Sequence, residues 1–111
     1  MPSVTAAPGV SLPETKQQDR DRPTPLYNVV LLNDDDHTDL YVIEMLEKLF
    51  AIPASDGWNH VIEVDSTGRT VVLTCELAQA EFGRDQIHGY GADWRMPVSK
   101  GSMSAIVEPA P

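Results

Sequence analysis

The sequence predicts an α+β domain in the order β-α-α-β-α-β, with a small three-stranded antiparallel sheet packed against helices. Three observations carry this. Tyr27–Leu32, Thr70–Thr74 and Met103–Glu108 are short runs rich in β-branched and aliphatic residues, bounded by turn-forming residues. The stretches between them show apolar residues at three- and four-residue spacing. The gaps are unequal, with two helical stretches in the first and one in the second, unlike the regular alternation of a doubly wound parallel sheet.

Taken in order, residues 1–25 hold five of the nine prolines (Pro2, Pro8, Pro13, Pro23 and Pro25), with Ser, Thr, Gln and Asp between them. Such a stretch buries too little apolar area to offset its ordering entropy. It is predicted to be a disordered tail, and residues 26–109 the domain. The first strand runs to Leu32 and is stopped by the polar cluster Asn33–Asp36. Thr38 caps the helix that follows, with Asp39 against the positive end of its dipole. Val42, Met45, Leu46, Leu49 and Phe50 form its apolar stripe, and Pro53 ends it.

Ser55–Thr67 is a weaker helix with Trp58, Val61, Ile62 and Asp65 on one side, and Trp58 is expected in the core. Gly57 within it lowers helix propensity by roughly 1 kcal/mol. Ser66-Thr67-Gly68-Arg69 reads as a turn into the second strand. The third helix runs from Glu76 to about His88 with Leu77, Ala80, Phe82 and Ile87 as its apolar positions, and Gly89-Tyr90-Gly91 stops it. A polar loop, Ala92–Gly101, leads to the last strand.

A length of 111 residues, 41% apolar, fits one domain. The net charge of -9 lies wholly in the domain, because Lys16, Arg20 and Arg22 balance Glu14, Asp19 and Asp21 in the tail. That surface repels phosphates, so nucleic acid and anionic membranes are poor partners, and cationic or amine-bearing ligands suit it better. Plain solubility is the simpler reading of the same charge. One cysteine, Cys75, allows neither an intrachain disulfide nor a thiolate cluster. The N-terminus does not read as a secretory signal, and no apolar run approaches the ~20 residues of a membrane span. A soluble, cytoplasmic monomer is expected.

The chemistry concentrates in Asn33-Asp34-Asp35-Asp36-His37-Thr38-Asp39, between a buried strand and an amphipathic helix. Its carboxylates repel one another unless solvent, a metal or an organic ammonium relieves them. Three readings compete. One is a solvated acidic loop held by turn and capping bonds. Another is a calcium loop, with Asn33, Asp35, His37 and Glu44 at its first, third, fifth and twelfth positions. Against it, Thr38 stands where glycine is required and the loop runs into a helix. The third is capture of a primary amine beside an apolar pocket. No metal or other cofactor is expected. No nucleophile motif, phosphate loop or HExxH occurs, so a binding protein is expected rather than an enzyme.

The run Val29-Val30-Leu31-Leu32-Asn33-Asp34-Asp35, followed by Leu40-Tyr41-Val42-Ile43-Glu44-Met45-Leu46-Glu47-Lys48-Leu49-Phe50, resembles the ClpS family of Clp protease adaptors. The Gly68-Arg69 turn, the TVVLT strand and Ala80-Glu81 fall where that family has its own turn, strand and helix, so the resemblance covers about residues 26–108.

It implies an adaptor that binds proteins through a free N-terminal amine and a bulky hydrophobic first residue. The adaptor would deliver them to the N-terminal domain of an AAA+ unfoldase of the ClpA or ClpC type. Burying such a first side chain is worth roughly 1.5–3 kcal/mol. By this resemblance Asn33, Asp34 and Asp35 bind the ammonium, joined by Asp65 where the family has a histidine. Val42, Met45, Val61 and Val64 line the pocket, and ordinary core is the other reading of these four. His37 and Asp39 stand at the rim, Asp39 in place of a gatekeeper methionine. Glu81 and Arg84 fall near the unfoldase-docking positions. Asp39 and Asp65 also motivate the alternative of a ClpS fold reused as an interaction module, with altered or lost N-terminal recognition.

Of the remaining residues, Cys75 is expected as a packed small side chain, and His60 and His88 as surface or capping histidines. Trp94, in a loop beside Arg95 and Met96, is the better interface candidate of the two tryptophans.

Overall fold

The first strand, β1 (Tyr27–Leu32), is central, and all three of its middle residues are buried. The computed structural model describes residues 23–111, and all of the expected tail but its last three residues lies outside them. Chain order is β1, α1 (Asp39–Phe50), α2 (Ala54–Thr67), β2 (Arg69–Cys75), α3 (Leu77–His88) and β3 (Ala105–Pro109). The sheet order is β2-β1-β3, and both pairings are antiparallel. This is the α+β fold the sequence predicts. The last strand starts two residues later than expected, because Met103 and Ser104 form the approach to it; Leu32 N–H donates to Ser104 O at 3.0 Å.

Helices pack on one face of the sheet, where Val29 and Leu31 of β1 meet Tyr41, Val42, Met45 and Leu46 of α1, Val61 of α2, and Ala80 and Ile87 of α3. The opposite face carries Val30 between Val71 and Ile106, which are its register partners on β2 and β3. An Arg69–Glu108 ion pair joins the two outer strands across β1 on that face. The register slips between Val29 and Val30, so Val72 is an extra residue in β2; the bulge leaves Val72 buried in the core.

Thr38 caps α1 as expected, accepting the Tyr41 N–H at 3.2 Å. The helix ends in a left-handed turn at Ala51, φ 56°, whose N–H returns to Glu47 O. In α2 the structure corrects the expected face. Gly57, Val61 and Val64 point inward, while Trp58 is 45% exposed and Ile62 more so. Gly57 packs at contact distance of Ile43 on α1, and this close approach fixes which side of α2 is buried. The same happens in α3, where Ala80, Gly83 and Ile87 face inward and Leu77 and Phe82 outward. A Cβ on Gly83 would lie 3.2 Å from Leu73 Cδ2.

Cys75 is partly buried against the core, and that burial, with the charge of Glu76, raises its thiol pKa, as suits a packed side chain. His88 accepts the Ala105 N–H at 3.0 Å and ties the end of α3 to β3. His60 is no free surface histidine. Its Nδ1–H donates to the buried Thr70 hydroxyl at 2.7 Å, which in turn donates to Glu63 at 2.5 Å, so α2 and β2 share a satisfied polar contact.

Candidate functional site

The Asn33–Thr38 turn lies at the carboxyl end of the central strand and is held from three directions. Asn33 N–H donates to Gly68 O at 3.0 Å. Gly68 is the left-handed residue that ends α2, at φ 89°, and its own N–H returns to Val64 O. The first residue of the acidic segment is thereby set against the C-terminal end of α2, one turn from Asp65. Asn33, Asp35, Asp36, Asp39 and Asp65 are all exposed.

Asp34 is different. Its Oδ1 accepts the Asp36 N–H at 2.9 Å, closing a tight turn within the segment. His37 Nδ1–H donates to the same carboxylate, 2.8 Å from Oδ1 and 2.9 Å from Oδ2. The other ring nitrogen lies 2.6 Å from Gly101 O, and the ring rests on Tyr41 with centroids 4.5 Å apart. Burial works against a charge on His37. The hydrogen bonds to Asp34 and Gly101, and the charges of Asp34 and Asp93, outweigh it, so its pKa stands above the ordinary histidine value.

The third anchor is Asp93, buried although charged. Its Oδ2 accepts both the N–H and the hydroxyl of Thr38, each at 2.7 Å. Its Oδ1 accepts the Arg95 N–H at 3.0 Å and the Arg95 guanidinium at 3.2 Å. Burial alone would raise its pKa; the Thr38 and Arg95 donors prevail and lower it from 3.8 to about 2. Arg95 also reaches Glu44 on α1, so the 89–104 loop grips the first two turns of that helix. Tyr41 adds a hydrogen bond from its hydroxyl to Gly91 O at 2.5 Å. Sequence reading treats this loop as polar linker and misses Asp93, because nothing in its neighbours distinguishes a buried aspartate from a solvated one.

Behind the turn, the apolar candidates Val42, Met45 and Val61 are buried together in the core cluster; Val64 is equally buried but stands outside that cluster. Val42 and Met45 lie on α1 and Val61 and Val64 on α2, the two helices that begin and end beside the acidic turn. Glu81 and Arg84 sit elsewhere, on α3, with Glu81 exposed and Arg84 paired to Asp85 at 3.1 Å. Trp94 is 80% exposed, with the Arg95 guanidinium 4.6 Å from its ring centroid.

Among the described residues, no cluster of metal-ligating side chains occurs. The exposed Asn33, Asp35, Asp36, Asp39 and Asp65 present an amide side chain and carboxylates at the surface.

The family model for the ATP-dependent Clp protease adaptor protein ClpS matches residues 22–99. The ClpS adapter protein of Vibrio atlanticus is 31% identical over 93 residues, covering 84% of this chain and 87% of that protein. The ClpS adapter of Gloeobacter violaceus is 39% identical over 69 residues, covering 60% of this chain and 73% of that protein. Among solved structures, Agrobacterium tumefaciens ClpS2 bound to L-phenylalaninamide superposes with a TM-score of 0.68 at 25% identity, covering 79% of this chain and all of that one. With the strand, acidic turn and helix in their places, the chain belongs to the ClpS family of ATP-dependent Clp protease adaptors.

Proposed function

We propose that this adaptor captures protein amino termini and delivers them to an AAA+ unfoldase of the ClpA or ClpC type. It acts as a soluble cytoplasmic monomer without catalysis of its own. The ligand is a free α-ammonium followed by a bulky hydrophobic side chain. Asn33, Asp34, Asp35 and Asp65 receive the ammonium, Val42, Met45, Val61 and Val64 take the first side chain, and His37 and Asp39 border the entrance. Glu81 and Arg84 on α3 contact the unfoldase.

The observation that carries this reading is the bond from Asn33 N–H to Gly68 O. It sets the backbone of Asn33, where the acidic turn begins, against the end of α2, the helix that carries Val61 and Val64. Phenylalaninamide, named with the Agrobacterium structure, has the same two features of free ammonium and large side chain. Charge-assisted bonds to the ammonium supply selectivity for an unblocked terminus.

The test is fluorescence anisotropy with labelled peptides beginning in Leu, Phe, Tyr, Trp, Arg or Met, each free or acetylated. Micromolar binding confined to free, bulky termini and lost in Asn33→Ala supports the proposal. Binding indifferent to acetylation would favour the second reading, a ClpS fold reused for another partner, which the exposed Asp39 and Asp65 support. Failure of every peptide would end the amino-terminus reading.

A further inference from the structure

A neutral imidazole has one donor nitrogen and one acceptor nitrogen. At His37 both nitrogens face acceptors, the Asp34 carboxylate on one side and the Gly101 carbonyl oxygen on the other. Neither an ionised carboxylate nor a backbone carbonyl has a proton to donate, so only a ring protonated on both nitrogens satisfies both contacts. The His37 side chain is 4% exposed, so a ring in that state carries its charge out of contact with solvent. The groups facing it are Asp34 on its own turn, Asp93 and the Gly101 carbonyl on the 89–104 loop, and the Tyr41 ring on α1. Asp34, whose side chain is 32% exposed, connects this interior to solvent.

We propose that His37 stands in for the ligand's ammonium. It neutralises Asp34 while no amino terminus is bound, and arrival of an ammonium at Asp34 expels the proton on His37 Nε2 and releases the Gly101 segment. This rests on the proposed function, since it requires an ammonium to reach Asp34. Two cations on one carboxylate repel each other. The ligand cannot give up its charge without losing the bonds that select it, so the ring gives up a proton to solvent. Nδ1–H remains on Asp34 and keeps that carboxylate in place. The Nε2 lone pair then faces the carbonyl oxygen of Gly101, and the contact that held the loop becomes repulsive. Capture of a substrate terminus is thereby coupled to a loop that grips α1 through Asp93 and Arg95.

Calorimetric titration of the full chain with a Phe-initiated peptide, in two buffers of different ionisation enthalpy, counts the protons released. The useful window is about pH 5.5 to about pH 7, where the peptide α-amine stays charged. The expected result is release of a fraction of a proton that approaches one at the acid end. Affinity should tighten with pH, up to a limit of about tenfold per unit, whereas His37→Gln releases no proton and binds with flat affinity. Peptide binding with no release, and with the same pH profile in both proteins, overturns the stand-in and leaves the amino-terminus reading intact. Failure of every peptide in both proteins overturns both. Nitrogen NMR of the ligand-free chain is an independent check: a doubly protonated His37 ring at about pH 6 supports the stand-in, and a single neutral tautomer there overturns it.

Discussion

Thr38 and Asp93 are 55 positions apart, yet both donors of Thr38, its N–H and its hydroxyl, donate to one oxygen of the Asp93 carboxylate at 2.7 Å. The same threonine accepts the Tyr41 N–H. One residue thus caps α1, receives the long loop and closes the acidic turn. The carboxylate also lies against the positive end of the α1 dipole, which favours its ionised form.

This relationship predicts acid sensitivity with a definite sign. Asp93 titrates at about 2 in the folded chain against 3.8 without the fold. A lowered folded pKa contributes stability that is fully present above the unfolded value and lost as pH falls through the folded one. The contribution is about 2 kcal/mol at neutral pH, disappearing between about pH 4 and about pH 2. Asp93→Asn should lower stability by about 3 kcal/mol at neutral pH, since its amide would face the donors of Thr38 and Arg95. Urea unfolding of both proteins from neutral to acid pH checks this. The gap between them should narrow as the pH drops, and a constant gap would contradict the assignment.

Gly68 leads to a second prediction. It ends α2 at φ 89°, and nothing lies within 4 Å of where its Cβ would be. Any penalty for Gly68→Ala is therefore one of backbone conformation, about 1 kcal/mol. Chemical denaturation should show that loss. Asparagine, which tolerates the left-handed region better, should recover part of it.

The element order was legible because each strand is a compact β-branched run and each helix carries local stop signals, such as Gly68 after α2. The phase of α2 was not. Trp58 and Ile62 are its largest apolar residues, but they stand about 100° or more around the helix from the Gly57–Val61–Val64 stripe. What decides the phase is the absence of a side chain at Gly57, which admits Ile43 and which a hydropathy pattern scores as nothing. The acidic turn was visible as composition. Its internal inequality was not: Asp34 is engaged and Asp35 exposed because of His37 and the remote Gly101. Asp93 was illegible altogether, since its partners lie 55 residues away and two residues ahead.

The corrected phase yields a third prediction, a contrast between two large side chains. Met45 is fully buried in the core cluster, and Met45→Ala should destabilise by about 3 kcal/mol. Trp58 is nearly half exposed, so Trp58→Ala should lose under about 1 kcal/mol despite removing more atoms. Thermal and urea unfolding of the two variants decide it. Equal losses would place Trp58 in the core after all.

The last prediction separates the two proposed surfaces of the adaptor. Among the described residues, the side-chain and backbone bonds that hold the 33–38 turn come from α1, the end of α2 and the 89–104 loop. Glu81 is exposed on α3, and Arg84 pairs there with the neighbouring Asp85, an ion pair of little energetic value in water. Reversing both charges, Glu81→Arg with Arg84→Glu, should leave folding and peptide affinity unchanged. It should weaken binding to the isolated N-terminal domain of a ClpA- or ClpC-type unfoldase by roughly tenfold, equivalent to about 1.4 kcal/mol. Anisotropy with a Phe-initiated peptide and calorimetry with the unfoldase domain give the two readouts. If peptide affinity falls along with unfoldase affinity, the two surfaces are not separate. If neither changes, α3 is not the docking face, and the exposed Trp94 on the 89–104 loop is the next surface to mutate.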